Sequence, residues 1–227
     1  MSEPSDREAT LDVPAVHTSP QGIQRRGLML VLSSPSGAGK STIATRLLRE
    51  DPNLTLSVSA TTRARRGNEI DGQDYHFMSV AEFEMKRDAS HFLEHAEVHG
   101  NHYATPIEPV REAMAAGRDM LFDIDWQGAA QMFEQARGDI ASVFILPPSM
   151  EELGRRLQRR ATDTETVIAR RLANARREIE EWTRYDYVVV NDDLGRAFDQ
   201  VKAILTAERL RRERRPGLHG FVKELLR

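Results

Sequence analysis

The sequence reads Ser-Pro-Ser-Gly-Ala-Gly-Lys-Ser-Thr at residues 34–42, directly after the apolar run Leu-Met-Leu-Val-Leu at residues 28–32. A buried strand, a glycine-rich turn and a helix in this order direct several backbone N–H groups and the positive end of the helix dipole to one point. Lys40 adds a mobile positive charge, and the Ser41 hydroxyl can ligate Mg²⁺. The usual motif has glycine where this chain has Ser34. We predict that this turn binds the phosphates of a nucleoside triphosphate; a chance Gly-Ala-Gly turn is the alternative.

Length and composition limit the class of protein. The chain has 227 residues, 40% of them hydrophobic and 30% charged, with a net charge of −3 and no cysteine. This length suits one α/β core with small additions rather than two large domains. Without cysteine there are no disulfides or thiolate metal sites, and the net charge provides no global basic field for nucleic acid.

No targeting or membrane segment is evident in the sequence. No apolar stretch approaches the roughly 20 residues that a membrane-spanning helix needs. Residues 1–26 mix Pro, Ser, Thr and acidic residues, without the features of a secretory or organellar signal. We expect a disordered leader over residues 1–26 and a cytoplasmic protein.

Short apolar runs of strand type alternate with helical patterns along the chain. The predicted strands are residues 28–32, 54–59, 120–125, 141–146 and 187–190, with the clearest helices at residues 41–50 and 107–116. Near-continuous apolar strands that alternate with helices predict a parallel sheet covered on both faces. The fold class is therefore α/β with a five-stranded parallel sheet.

Three helix starts carry the spacing of a capping box, in which Ser or Thr at the N-cap is followed three residues later by Glu. The three pairs are Ser79 with Glu82, Ser149 with Glu152, and Thr162 with Glu165.

Two stretches do not match the core pattern. Residues 60–105 are rich in polar, charged and aromatic side chains, and residues 151–177 contain eight arginines. A phosphotransferase needs such additions, because it must fold over two substrates and exclude water. We predict a core, an inserted subdomain, a lid and a basic tail with a solvated helix end and a loose terminus. Their ranges are 27–59, 106–150 and 178–207 for the core, 60–105 for the subdomain, 151–177 for the lid and 208–227 for the tail.

Six segments in one order carry a family resemblance. After residues 34–42 come Ser-Val-Ser-Ala-Thr-Thr-Arg-Ala-Arg-Arg at 57–66 with Gly-Gln-Asp-Tyr-His-Phe at 72–77, Phe-Leu-Glu-His-Ala at 92–96, Gly-Asn-His-Tyr-Ala-Thr at 100–105, Leu-Phe-Asp-Ile-Asp-Trp-Gln-Gly at 121–128 and Val-Asn-Asp-Asp-Leu at 190–194. Over about residues 27–206 the chain resembles the guanylate kinases, the enzymes of purine nucleotide metabolism that phosphorylate GMP with ATP. The resemblance implies the three-layer P-loop NTPase fold, with a GMP-binding subdomain at residues 60–105 and a helical lid.

The resemblance assigns two groups of residues to GMP. Arg63, Arg66, Tyr75 and Tyr103 are implied to bind the phosphate, which guanidinium forks grip bidentately and phenol hydroxyls bind through single hydrogen bonds.

Glu94, Ser59, Thr105 and Asp125 are implied to bind guanine. A carboxylate accepts from both N1–H and the exocyclic amine of guanine, whereas adenine has no N1 proton and leaves the carboxylate unpaired. A site of this kind can reject the wrong base by roughly 10⁴ to 10⁵.

The motif and the resemblance together assign ATP binding to seven consecutive residues and to one residue that is distant in the sequence. These residues are Ser36, Gly37, Ala38, Gly39, Lys40, Ser41, Thr42 and, beside adenine, Asn191. Mg²⁺ is expected at Ser41 and Asp123, through water. Lys40 and the lid arginines Arg156, Arg160 and Arg171 are implied to offset charge on the transferred phosphoryl group.

Other functions remain open at this point. A kinase for another phosphorylated molecule is disfavoured because Ser59, Glu94 and Asp125 are retained. A guanylate-kinase-like module that binds phosphopeptides without catalysis is disfavoured by the retained Gly39-Lys40-Ser41 sequence and the lid arginines. We expect ATP and GMP as partners, without nucleic acid or membrane; the sequence leaves open whether the chain forms a homo-oligomer.

Overall fold

The computed structural model describes residues 22–98, 100–159 and 164–227. The strands are β1 (Met29–Ser33), β2 (Leu54–Leu56), β3 (Ala60–Thr61), β4 (His76–Phe77), β5 (Phe92–Val98), β6 (Asn101–Pro106), β7 (Asp119–Asp123), β8 (Ile140–Leu146) and β9 (Tyr187–Val190). The α-helices are α1 (Lys40–Glu50), α2 (Val80–Asp88), α3 (Ile107–Ala115), α4 (Trp126–Ala136), α5 (Met150–Gln158), α6 (Glu165–Glu180), α7 (Leu194–Leu210) and α8 (Leu218–Leu225).

Five strands form the central sheet in the order β2-β7-β1-β8-β9, and all its pairings are parallel. Alternate residues of β1 point to opposite faces of this sheet. Leu30 and Leu32 belong to an apolar cluster with residues of α1 and α7, and Met29 and Val31 belong to a second cluster with α3 and α4. Helices therefore cover both faces, as the near-continuous apolar strands predicted.

A smaller sheet has the strand order β4-β3-β6-β5 and lies within residues 60–106. Its own core includes Phe83 of α2, whose ring centroid lies 4.8 Å from that of Phe92. This apolar contact fixes α2 against the sheet, and β5 of the same sheet packs against α4 of the core.

The strand ends differ from the sequence predictions at two places. The run predicted at 54–59 is β2 only to Leu56, because the chain then leaves the central sheet and starts the smaller sheet at Ala60. The run predicted at 120–125 ends as β7 at Asp123, because Asp125 is the N-cap of α4.

Two of the three predicted caps are present. The Ser79–Glu82 capping box is complete, and the Ser149 hydroxyl accepts a hydrogen bond from the Glu152 N–H. The third was wrong: α6 begins after Thr164, and Thr162 lies outside the described residues.

The leader predicted over residues 1–26 differs from the structure in its last part. Ile23 is buried, and Arg25 forms a bidentate ion pair with Asp119 at 2.6 and 2.9 Å. Because Asp119 lies 94 residues away in the chain, local composition could not reveal this anchor. Residues 1–21 lie outside the described part of the chain.

The basic tail is not a loose terminus as predicted. Arg214 is 4% exposed; it donates to the Glu208 carboxylate at 2.9 Å and to the Ile140 carbonyl at 3.1 Å. The Gly217 N–H in turn donates to the Gln24 carbonyl. A buried guanidinium needs such partners, so these contacts hold the tail on the core. In the described ranges we find no helix that has both the length and the apolar character to cross a membrane.

Candidate active site

The turn after β1 forms a nest of backbone groups at the start of α1. Gly37 and Gly39 have φ of 95° and 103°, a left-handed region that glycine adopts without strain. A Cβ on Gly39 would lie 2.3 Å from Asn191 Nδ2, so the site has no space for a side chain either. The nest opens into a cavity of about 300 Å³, the donor cavity, lined by Ser34, Ser36, Gly37, Gly39, Lys40, Ser41, Asp125, Trp126, Phe144 and Glu178.

Lys40, Ser41 and Asp123 meet where β7 ends. The Lys40 ammonium forms an ion pair with Asp123 and donates to the Ile124 carbonyl at 3.2 Å. The Ser41 hydroxyl donates to Asp123 Oδ2 at 3.3 Å. A hydroxyl and a carboxylate are thus next to each other at the phosphate nest.

These two oxygen ligands suit Mg²⁺. Among the residues that the structure describes, no group of three or more His, Asp or Glu could hold a metal ion. Mg²⁺ commonly binds through one or two protein oxygens, with water and substrate phosphates completing its coordination. Ser41 and Asp123 fit that arrangement.

Asn191, which is expected beside adenine, is a buried residue next to the phosphate nest. Its side chain is 3% exposed, its Nδ2 donates to the Ala38 carbonyl at 2.7 Å, and its Oδ1 is buried without a hydrogen-bond partner in the described structure. The Arg156 guanidinium donates to the Asn191 carbonyl at 3.0 Å. Asn191 therefore connects the nest to α5, and the sequence signal, an Asn after a strand, could not distinguish this role.

The structure describes two of the three predicted lid arginines, Arg156 and Arg171. Arg171 on α6 donates to Ser36 Oγ at 2.6 Å, and Arg156 on α5 also pairs with Glu152. Arg160 lies outside the described residues. Arg155, which the sequence analysis did not select, is exposed.

Besides Asn191, two predicted ATP-binding residues do not line the donor cavity. Thr42 is exposed in the first turn of α1, and Ala38 is fully buried. Ala38 contributes its carbonyl, which accepts from Asn191 as described above.

A second cavity of about 210 Å³, the acceptor cavity, lies beside the first. Its lining includes Ser59, Tyr75 and Thr105, together with Asp123 and Ile124 from the end of β7. Asp123 thus lines the acceptor cavity while it pairs with Lys40 of the donor cavity, so the two cavities converge on one carboxylate.

Glu94 is a buried carboxyl beside this cavity. It is 6% exposed on β5, and Thr105 Oγ1 donates to its Oε1 at 2.8 Å. Burial raises the pKa of Glu94 to about 7; the Thr105 hydrogen bond opposes this rise and the nearby Asp125 charge adds to it. A Cβ on Gly128 would lie 3.0 Å from Glu94 Oε2, so α4 approaches closely.

Asp125 is engaged at the start of α4. Its Oδ1 accepts from the N–H groups of Gln127 and Gly128, both at 3.0 Å. Asp125 lines the donor cavity and is absent from the lining of the acceptor cavity. It is nevertheless near enough to Glu94 to raise the pKa of that carboxyl.

The predicted phosphate ligands gather around one arginine. Arg63 lies with its guanidinium carbon 5.2 Å from the Tyr75 ring centroid, and the Tyr75 and Tyr103 rings meet edge to face at 6.1 Å. Arg66 is exposed, and its backbone N–H donates to Glu69 at 2.8 Å.

Sequence reasoning missed Glu69, which holds this loop together. Its carboxylate accepts two hydrogen bonds from the Arg63 guanidinium, at 2.7 and 3.1 Å. The Arg63 guanidinium, followed by the Arg66 N–H, lowers the pKa of Glu69. An acid six residues after an arginine in a turn-rich loop was the only available signal, and it is not specific.

A family model described as guanylate kinase matches residues 26–208. The chain belongs to the guanylate kinase family. It is 67% identical over 204 residues to the guanylate kinase of Mesorhizobium japonicum, covering 90% of this chain and 94% of that one. It is 65% identical over 208 residues to that of Rhizobium meliloti, with coverages of 92% and 95%.

A solved structure agrees with the fold. The crystal structure of guanylate kinase from Anaplasma phagocytophilum is similar, with a TM-score of 0.70 at 39% identity, and the match covers 89% of this chain and 96% of that chain. The predicted family, the kinase class and the α/β P-loop fold are confirmed. The roles of individual guanylate kinase site residues and the division into subdomain and lid stay predictions.

Proposed function

We propose that this chain transfers the γ-phosphoryl group of ATP to GMP, which yields ADP and GDP. The observation that carries the proposal is the convergence of the donor and acceptor cavities on Asp123 and Ile124. Phosphoryl transfer needs little covalent chemistry from the protein; it needs two substrates held in line and their charge offset. Two adjacent cavities with the Lys40 ammonium at their junction meet that requirement.

Glu94 and Thr105 select the base in this proposal. The buried carboxylate accepts from the N1–H and the exocyclic amine of guanine, and these donors replace the solvation that burial removed. AMP would leave the same carboxylate desolvated and unpaired, which is costly. Ser59 supplies a further hydroxyl in the acceptor cavity, and Asp125 adds negative charge near Glu94.

The acceptor phosphate is bound by Arg63, Arg66, Tyr75 and Tyr103. Glu69 orients the Arg63 guanidinium through two of its N–H groups. The exposed Arg66 can then close over the phosphate from solvent. No general base is needed, because a phosphate oxygen with a second pKa of about 6 is already largely ionised at pH 7.

On the donor side, the nest from Ser36 to Ser41 holds the ATP phosphates. Lys40 lies at the junction of the cavities, so its ammonium can follow the phosphoryl group from one substrate to the other. Bound at Ser41 and Asp123, Mg²⁺ would neutralise charge on the phosphate oxygens. Arg156, Arg160 and Arg171 offset the remaining charge when the lid closes.

The test is release of ADP from Mg·ATP, measured in parallel with GMP, AMP, UMP and CMP as acceptors. We expect release with GMP only, dependence on Mg²⁺, and a fall of about 10² to 10³ in turnover for Lys40→Ala. Release with another monophosphate would overturn the role of Glu94. ATP and GMP binding without any release would favour a binding module. We also propose a cytoplasmic location, which cell fractionation with an antibody to the chain would test.

A further inference from the structure

A carboxylate that the proposed reaction does not use lies in the donor cavity. Glu178 on α6 lines this cavity together with Ser36, Gly37 and Lys40 of the phosphate nest. The cavity is built to attract anions, because backbone N–H groups and the Lys40 ammonium converge there. A protein carboxylate at this place can accept hydrogen bonds from the nest and pair with its cation, as a phosphate would.

The electrostatic environment of Glu178 agrees with its position. Burial is the largest influence and raises the pKa of Glu178, and the negative charge of Asp125 raises it further. The Ser36 backbone N–H and the Lys40 ammonium act in the opposite direction and lower the pKa. Glu178 thus lines the same cavity as the Ser36 N–H and the Lys40 ammonium, and both groups favour its charged form. Both are groups that a bound triphosphate also needs.

The same helix carries a cation into the nest. Arg171 donates to Ser36 Oγ at 2.6 Å, and Arg171 and Glu178 are seven residues apart, which is close to two helical turns. Side chains at this spacing lie on one face of a helix. Helix α6 therefore presents a positive side chain to Ser36 and a negative side chain to the cavity that Ser36 lines.

We infer that Glu178 occupies an anion position of the phosphate nest in the nucleotide-free chain, and that the triphosphate of ATP displaces it. This inference rests on the proposed function, since it concerns the same donor site. Two negative groups cannot share the nest, so the triphosphate moves Glu178 away and keeps Arg171, whose charge it attracts. Binding of ATP is thereby coupled to the position of α6, and Glu178 lowers the affinity of the nest for every anion.

The experiment measures binding of inorganic tripolyphosphate by calorimetry, without divalent cations and without acceptor. Wild type is compared with Glu178→Gln, Glu178→Ala and the control Glu180→Gln, an exposed acid on the same helix. Both Glu178 variants lack the carboxylate that competes with the added anion for the nest. They should therefore bind tripolyphosphate about fivefold to tenfold more tightly than wild type, which corresponds to the contribution of one charge-assisted hydrogen bond. Glu180→Gln should bind as wild type does. Thermal unfolding of each variant verifies that it is folded.

Unchanged or weaker binding in the two Glu178 variants would overturn the inference, because the carboxylate would then either be indifferent to the anion or support the nest. The same result in Glu180→Gln as in Glu178→Gln would also overturn it, since only the general charge of α6 would be acting. The measurement needs no GMP and no turnover. Failure of the chain to phosphorylate GMP would therefore be seen separately, in the ADP-release assay.

Discussion

GMP should bind more weakly as the pH falls below about 7, because Glu94 must lose its proton before it can accept from both guanine donors. In the free chain, burial raises the pKa of Glu94 from 4.5 to about 7. Guanine pairs only with the carboxylate form, so binding lowers this pKa and releases the proton. The affinity for GMP therefore increases with pH and levels off above the pKa that Glu94 has in the free chain.

The magnitude follows from one titrating group. The fraction of chains with ionised Glu94 is about one half at pH 7 and about one eleventh at pH 6. The apparent dissociation constant should accordingly rise by about fivefold between these two pH values. At pH 7, binding should release about half a proton from this carboxyl.

Calorimetry in buffers with different ionisation enthalpies measures both quantities. The phosphate of GMP titrates with a second pKa of about 6 and adds its own pH dependence. Guanosine has no phosphate, so its competition with GMP isolates the contribution of Glu94. Guanosine affinity that is constant from pH 6 to pH 8 would show that the buried carboxylate is not the group that recognises the base.

Three further predictions concern single substitutions. Folding raises the pKa of Glu94, so between about pH 4.5 and pH 7 the folded chain keeps the Glu94 proton that the unfolded chain loses, and the free energy of unfolding falls as the pH rises through this range. Glu94→Gln should remove this pH dependence. Denaturant titrations at pH 8 should show a free energy of unfolding up to about 3 kcal/mol higher in this variant than in wild type. Gly39→Ala should lower the free energy of unfolding by about 1 to 3 kcal/mol and weaken ATP binding, because residue 39 has a left-handed φ of 103° and the added Cβ would lie 2.3 Å from Asn191. Gly138→Ala is the matched control, since a Cβ there meets nothing within 4 Å. Equal losses in both variants would contradict the nest geometry. Glu69→Gln should raise the KM for GMP by about tenfold and leave that for ATP unchanged in steady-state kinetics, because Arg63 loses a charge-assisted partner at 2.7 Å; a change in both constants would show a general loss of structure.

The sequence predicted those features whose physical cause is local. The turn at residues 34–42 needs only its own glycines, its lysine and the flanking strand and helix, so it could be located without a structure. The parallel sheet followed from apolar runs that are buried on both faces. Glu94 was different: taken alone it reads as a surface acid, and only the order of the surrounding segments indicated its role.

The features that the sequence did not reveal depend on contacts between distant residues. Arg25 and Asp119 are 94 positions apart, and Arg214 reaches the Ile140 carbonyl across 74 positions. Periodicity and composition carry no information about such pairs. Glu69 and Glu178 were missed for a related reason, because a carboxylate becomes informative only when its partner, Arg63 or the phosphate nest, is seen next to it.

The most direct test of the central claim is the ratio of kcat/KM for GMP to that for AMP, measured by ADP release in wild type, Glu94→Gln and the control Glu97→Gln, an exposed acid on the same strand. We expect a strong preference for GMP in wild type and in Glu97→Gln. In Glu94→Gln that preference should fall by at least about a hundredfold, because the variant loses its use of GMP. A preference for GMP that survives in Glu94→Gln would contradict the claim that this buried carboxylate selects the acceptor.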